Sequence, residues 1–379
     1  MQENVNILLG KTLEELQAVA LEVGLPRFAG KQLAEWLYVR RATTFDEMTN
    51  ISLKGREALK ARYTIGRHAP VREAISQDGT KKYLFRISNS ASGLTGEAGL
   101  TSNSEAIYIE SVYIPDNDRA TICVSTQAGC KMGCKFCMTG TLGFHGHLSA
   151  AEILNQIFSI PDSEKLTNIV YMGEGEPMDN LDNVLRSLNA MTANWGCAWS
   201  PKRITVSSVG LLQQPNSKFK IQNSKLLQRF IEECDCHLAI SLHNPFGAER
   251  QEIMPMEKVN HLSDVIALLK QYDWSHQRRV SFEYICWDGV NDSAKHANEL
   301  LRILKGLDCR INLIRFHASP KAGANNQTDI CTISSNEKQM EWMRDYLTEK
   351  GITTTIRRSR GEDILAACGM LVNDLKENK

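Results

Sequence analysis

From about residue 120 onward, short β-branched runs alternate with amphipathic helical patterns, and nothing else in the chain restricts its fold as much. The strand-like runs fall at 121–125, 168–172, 203–207, 237–243, 280–286, 310–316 and 352–358. Between them, apolar residues recur at helical spacing over 150–158, 181–193, 262–272, 294–304 and 338–350. A strand reached through a helix pairs parallel to its predecessor, with a right-handed crossover. Six strand–helix repeats therefore predict an α/β fold whose parallel sheet is open or curled into a partial barrel. Its chemistry is expected at the carboxyl ends of the strands.

The first part of the chain has a different texture. Thr12 precedes Glu14, Glu15 and an apolar pattern of Leu13, Leu16, Val19 and Ala20, which predicts an amphipathic helix. Leu33, Trp36 and Leu37 predict a second helix over 31–41, and Leu53, Ala58 and Leu59 a third over 48–63. A basic stripe of Lys54, Arg56, Lys60, Arg62, Arg67 and Arg72 holds one acid, Glu57. A hairpin is expected over 71–88 around Asp78-Gly79, then a Ser/Gly-rich loop at 88–104, then a second hairpin pairing 106–114 with 120–126. The expected division is a helical part at 1–70, a β-hairpin connecting segment at 71–118 and a catalytic part at 119–379.

The 379 residues are 42% apolar and 23% charged, ordinary for a globular protein, so disordered and fibrous classes are excluded. No apolar run approaches the ~18 residues of a membrane span. Lys and Arg number 44 against 44 Asp and Glu, so any nucleic-acid attraction must come from local patches. The opening MQENVNILLGKTLEEL has no basic stretch ahead of a long apolar core. The expectation is a cytoplasmic protein without a signal peptide, whose eleven cysteines serve as ligands, catalysts or core residues rather than disulfide staples.

Three of those cysteines, Cys130, Cys134 and Cys137, lie in CKMGCKFC just after the first strand of the repeating part. Compact cysteine spacing holds iron–sulfur clusters, whereas a structural zinc site wants four ligands, normally as two separated pairs. Three local thiolates with no obvious fourth leave one iron open to a substrate. A CxxxCxxC loop in this position resembles the signature of the radical S-adenosylmethionine (radical SAM) enzymes. The stretches ATICVSTQAGC at 120–130, GEGEP at 173–177 and SLH at 241–243 are similar to the RlmN/Cfr group of RNA adenine methyltransferases. So are KQLAEWLYVRRATTFDEMTN at 31–50 and RRSRGEDILAACG at 357–369, and the likeness runs from about residue 11 to 372.

The resemblance implies a radical SAM partial (β/α)6 barrel behind a small helical domain that docks RNA, with the basic stripe holding phosphates. Cys130, Cys134 and Cys137 are implied ligands of one [4Fe-4S] cluster. Gly175, Glu176, Ser207, Ser241, Leu242 and His243 are implied SAM contacts. His317, in RFHASP, stands where the family has Asn and is carried over as a further contact. Cys368 is the implied methyl carrier. Cys123 is its partner in a transient disulfide, and Glu110 the proton acceptor. Arg357, Arg358 and Arg360 would favour the Cys368 thiolate if they lie beside it.

On this reading one SAM methylates Cys368. A second is cleaved to a radical that activates the new methyl group for attack on C2 of adenine, a carbon too electrophilic for simple methyl transfer. The implied partners are 23S rRNA, at the peptidyl-transferase centre, and the tRNA adenine 3′ of the anticodon. An electron donor such as flavodoxin is implied too; no membrane is involved and the chain is expected to be a monomer. Two alternatives keep the radical chemistry: C8 methylation, as in the Cfr branch, or another substrate with Cys368 inert. A third is a non-catalytic RNA-binding protein with structural zinc. Among the remaining cysteines, Cys234-Asp-Cys236-His237 looks like a metal motif, but neighbouring strand residues point to alternating faces.

Overall fold

The computed structural model describes residues 6–87, 106–213, 225–275, 279–317, 333–367 and 369–371. The expected loop at 88–104, most of the 215–225 and 321–331 stretches, and Cys368 lie outside the described residues.

Helix α1 (Leu13–Glu22) starts at Thr12 with a reciprocal cap, in which Thr12 Oγ1 accepts from Glu15 N and Glu15 Oε2 accepts from Thr12 N. Helix α2 (Ala29–Ala34) runs on into a wider turn at Glu35–Val39, filling the expected second helix. The third, α3 (Leu53–Lys60), begins later than expected because Ser52 caps it, its Oγ accepting from Gly55 N. Strands β1 (Asn6–Ile7) and β2 (Tyr63–Thr64) pair and close this segment.

The connecting segment is antiparallel. Strand β3 (Arg72–Ile75) pairs with β4 (Lys81–Arg86), β4 with β5 (Tyr108–Asp116), and β5 with β6 (Arg119–Cys123). After β6 the chain makes a small ribbon of β7 (Gln127–Gly129) and β8 (Phe144–His147), which brackets the cysteine loop. Six helical crossovers follow. Helix α4 (Ala150–Phe158) leads to β9 (Asn168–Tyr171), α5 (Leu181–Thr192) to β10 (Ile204–Ser208), and α6 (Leu226–Glu233) to β11 (His237–Ser241). Helices α7 (Gly247–Ile253) and α8 (Leu262–Leu269) lead to β12 (Val280–Cys286), α9 (Ala294–Leu304) to β13 (Cys309–Arg315), and α10 (Glu337–Glu349) to β14 (Thr353–Ile356).

Seven strands, β6 and β9 to β14, are parallel in sequential order, and β5, β4 and β3 extend the β6 side into a ten-stranded sheet. All seven residues of β12 are buried, the mark of a strand covered on both faces. One apolar core runs from Leu8 and Leu16 through Phe158 to Leu347, so the helical segment shares its interior with the barrel.

Much of the basic stripe is engaged within the protein. The Arg67 guanidinium donates to the carbonyls of Arg41 and Phe158 and to Ser159 Oγ, fastening the helical segment to α4. Lys60 pairs with Asp46 and Glu57, Arg62 with Glu22, and Arg56 donates to the Asp46 carbonyl. Spacing in the sequence does not distinguish a solvated cation from one satisfied by its own fold.

Candidate active site

The cysteine loop projects from β7 over the carboxyl ends of the parallel strands. Gly129, at its base, has φ +73°, and a Cβ there would lie 1.8 Å from Gly143 O, so only glycine fits. Cys130, Cys134 and Cys137 line one wall of a cavity. The opposite wall comes from the turn after β9 (Gly173, Gly175, Glu176), the end of β10 (Ser207) and the end of β11 (Ser241, His243). Glu283, Arg357 and Gly369 line it as well.

Burial pushes the Cys130 thiol up to about 12 and raises Cys134 and Cys137 as well. The neighbouring thiols add to the effect at Cys134, where the Arg250 charge opposes it. Buried thiols in this state keep their protons, and a cationic metal centre is what ionises such a set. Among the described residues no three His, Cys, Asp or Glu side chains close on a single ion. Three thiols within eight residues, all facing one cavity, are the compact donor set that iron–sulfur clusters use, each thiolate taking a different iron. The donor set thus fits a three-cysteine iron–sulfur site.

The glycine-rich turn is tightly held. Gly175 has φ +97°, and a Cβ would meet Gln127 at 2.5 Å. Burial raises the Glu176 carboxyl to about 7 against the pull of its hydrogen bonds. Those bonds come from Ser208 Oγ (2.6 Å), Val209 N (2.9 Å) and Met178 N (3.0 Å). Glu174, also buried, accepts from Glu110 N at 2.8 Å and from Gly129 N at 3.3 Å, joining β5 to the base of the cysteine loop.

At β11, Ser241 lines the cavity, whereas the Leu242 side chain is buried in the core. The Leu242 backbone makes its contacts, donating to Glu283 O and accepting from Arg250 Nε. His243 Nδ1 accepts from Ile285 N at 3.1 Å, leaving the proton on Nε2, and its ring meets Phe136 edge-on at 4.7 Å. Burial and the nearby Arg250 charge lower this imidazole to about 3, so it is neutral at any working pH. His317 is not among the residues that line the cavity. It is bonded to Ser359 Oγ at 2.5 Å and faces Glu362 at 3.4 Å.

Cys123, at the end of β6, is 7% exposed and packs with Val112, Ala366 and Leu371. Gly369 O accepts from Met138 N at 2.8 Å, and Leu371 O from Thr139 Oγ1 at 3.5 Å. Residues on both sides of position 368 therefore lie against Cys123 and the cysteine loop. Glu110, two positions before Val112 on the same face of β5, is 2% exposed and paired with Lys82 at 3.0 Å. The arginines before Cys368 face carboxylates: Arg357 pairs with Glu283 at 3.1 Å, and Arg360 with Asp116 at 3.2 Å. Arg357 also lines the cavity beside Gly369.

The β3–β4 hairpin docks this last segment. Ser76 Oγ donates to Asp363, and Gly361 N donates to Asp78 Oδ2 at 3.1 Å. Burial pushes the Asp78 carboxyl up, but hydrogen bonds from Thr80, Gly361 and Ser76 outweigh it and hold it at about 2, below the usual 3.8. A depressed carboxyl stabilises the folded state fully above its ordinary value and loses that contribution as pH falls through its folded one. Pepsin cleavage within 357–371 is therefore expected to rise, relative to other sites, between about pH 4 and pH 2. In Asp78→Ala it should already be high at pH 4; a native pattern in that variant would refute the docking role.

Several of these residues had a legible signal that pattern reading passed over. Glu283 is the one charged residue of a fully buried strand, and Lys82 alternates onto the inner face of its hairpin. Ser208 and Arg250 carried no such mark. His147 bonds to Gln127, and Cys234, Cys236 and His237 do not gather around an ion among the described residues.

A cysteine loop of this spacing, set over the carboxyl mouth of a partial parallel barrel and facing a glycine-rich turn, defines a radical SAM enzyme. The radical SAM superfamily matches residues 124–304, and the ribosomal RNA large subunit methyltransferase N-terminal domain matches residues 5–65. The chain belongs to the RlmN family of radical SAM methyltransferases. It is 54% identical over 367 residues to a probable dual-specificity RNA methyltransferase RlmN of Bacteroides fragilis, covering 96% of this chain and 95% of that one. The dual-specificity RNA methyltransferase RlmN of Campylobacter fetus is 38% identical, with 91% and 93% covered. A radical SAM methyltransferase from Sphaerobacter thermophilus superposes with a TM-score of 0.80 at 33% identity, over 97% of this chain and 100% of that one. Membership in the superfamily brings SAM and a [4Fe-4S] cluster as cofactors. No helix among the described residues is long and apolar enough to cross a membrane.

Proposed function

We propose that this chain methylates C2 of an adenine in the peptidyl-transferase centre of 23S rRNA and of the tRNA adenine 3′ of the anticodon, using two SAM molecules per turnover. The reading is supported above all by the packing of Ala366 and Leu371 against Cys123 and the bonds of Gly369 and Leu371 to Met138 and Thr139 beside the cysteine loop, with Glu110 on the adjoining strand. In this reading Cys130, Cys134 and Cys137 hold the cluster. Gly175, Glu176, Ser207, Ser241, His243 and the Leu242 backbone cradle SAM, while His317 braces the 357–362 segment through Ser359. Bound there, the cluster and SAM supply a radical able to take hydrogen from a methyl group.

The chain's own residues do the rest. Cys368 accepts a methyl group and carries it to the base. Glu110 takes the proton that leaves the substituted ring carbon. The Cys123 thiolate then attacks the Cys368 sulfur: an S–S bond forms and the C–S bond breaks. Its electron pair leaves with the methylene, which gains a proton and becomes the methyl group. A dithiol reductant resets the pair. The 1–70 segment docks RNA, a flavodoxin-type protein supplies electrons, and the enzyme acts as a monomer.

Nucleoside mass spectrometry after anaerobic reaction with unmodified 23S rRNA and tRNA tests the reading. The expected result is 2-methyladenosine in both RNAs, lost in Cys368→Ala. Finding 8-methyladenosine, or no methylated adenosine while SAM is cleaved, would overturn it.

A further inference from the structure

We infer that Lys82 is a positioning residue for proton removal, its ammonium fixing the Glu110 carboxylate relative to the segment that carries Cys368. The inference rests on the role proposed above for Glu110. Lys82 lies on β4 opposite Val112 of β5, so its side chain shares the inner face with Glu110 and Val112. Its Nζ is 3.0 Å from Glu110 Oε1 and donates to the Leu365 carbonyl at 3.5 Å. The lysine side chain is 13% exposed and the glutamate side chain 3%.

A buried ammonium is costly to desolvate, and an apolar side chain of similar volume commonly serves stability as well or better. A lysine here therefore calls for something beyond filling space. Its two partners provide it: one is the proposed base, the other lies three residues before the methyl carrier. Leu365 is a non-glycine residue with φ +53°, a conformation that needs support from its surroundings. A carbonyl accepting from a buried cation supplies some of that support. One ammonium thus couples the base to the carrier loop, and their separation decides whether the carboxylate meets the ring carbon attached to Cys368. In the step it serves, the adduct gives up the unpaired electron left by radical addition to the one-electron carrier that supplies the enzyme. The C2–H bond breaks, the proton bonds to a Glu110 oxygen, and the C–H electron pair stays in the ring. Errors of about an ångström in such geometry cost rates on the order of 10²-fold.

The test compares Lys82→Met and Lys82→Arg as full-length holoenzymes on RNA carrying deuterium at adenine C2. Lys82→Met is expected to methylate Cys368 at the native rate, read from the mass of its peptide. The protein–RNA adduct should resolve roughly 10²-fold more slowly, with a primary deuterium isotope effect that the native enzyme shows more weakly. Amide hydrogen exchange over 361–367 should quicken, and Lys82→Arg should recover a large part of both changes. Native resolution in Lys82→Met, or equal loss of Cys368 methylation and adduct resolution in both variants, overturns the inference. Glu110→Gln separates the two levels. If it turns over normally, the reading of Glu110 as the base fails, whatever Lys82 does.

Discussion

Replacing Cys123 by Ala is expected to leave the enzyme attached to its RNA. Nothing upstream of release asks for this thiol, so Cys368 should still be methylated and its carbon should still reach the base. What fails is the attack on the Cys368 sulfur, and multiple turnover should fall by at least roughly 10³-fold, the scale on which covalent-catalysis groups act. The position supports the specificity of the effect. Cys123 ends β6 with Val112 directly across the ladder and with Ala366 and Leu371 packed on it, so Ala leaves only a small cavity. The stability cost should be about 1 kcal/mol, far too little to mimic a fold defect. A denaturing gel would show RNA-shifted protein, and nuclease digestion followed by mass spectrometry would place a nucleotide on the peptide containing Cys368. Native turnover in Cys123→Ala would remove this residue from the mechanism.

The second large effect is one of stability. Arg250 is 1% exposed on α7; its guanidinium pairs with Glu257 and donates to the carbonyls of Ser241 and Leu242. Arg250→Ala removes the cation and leaves Glu257 buried without that partner, a change expected to cost about 3–5 kcal/mol. It also frees the two carbonyls that hold the turn at the end of β11, where Ser241 and His243 face the cavity. Urea unfolding should show the full loss, and SAM affinity should fall with it. Arg250→Met combined with Glu257→Leu should recover part of the stability but not the SAM affinity, because the carbonyls stay unpaired. Equal recovery of both would mean that the arginine serves stability alone.

The repeating barrel was legible because two periodicities mark it: β-branched runs for strands and 3.6-residue spacing for helices. The spans 150–158 and 294–304 coincide with α4 and α9. Strand limits moved by a residue or two at β10 and β14, where hydrogen bonding rather than composition sets the end. Helices α6 and α7 were missed, being short and set in polar sequence. The cysteine loop and glycine-rich turn were legible as local motifs. The contacts that bring Ala366, Gly369 and Leu371 to Cys123 and the cysteine loop were not, because they join positions separated by over two hundred residues. Family likeness had to supply that pairing. The internal engagement of Arg67 was hidden for the same reason, since it donates to Phe158 of α4 and to Ser159, about 90 residues away.

Such long separations also order the assembly in time. Ser76 meets Asp363 across 287 positions of chain, and Gly361 meets Asp78 across 283. Closing so long a loop adds little free energy over a shorter one, since each doubling costs only about 0.6 kcal/mol. It does impose a schedule, because a chain made from its N-terminus folds its early parts first. The cysteine loop is complete at residue 137, well before Gly369 exists to bond with Met138. A nascent chain therefore presents three uncovered thiols for the whole interval in which the barrel is being built. Delivery of iron and sulfide has its widest access then, and Gly369 and Leu371, made after the barrel strands, close the door behind it.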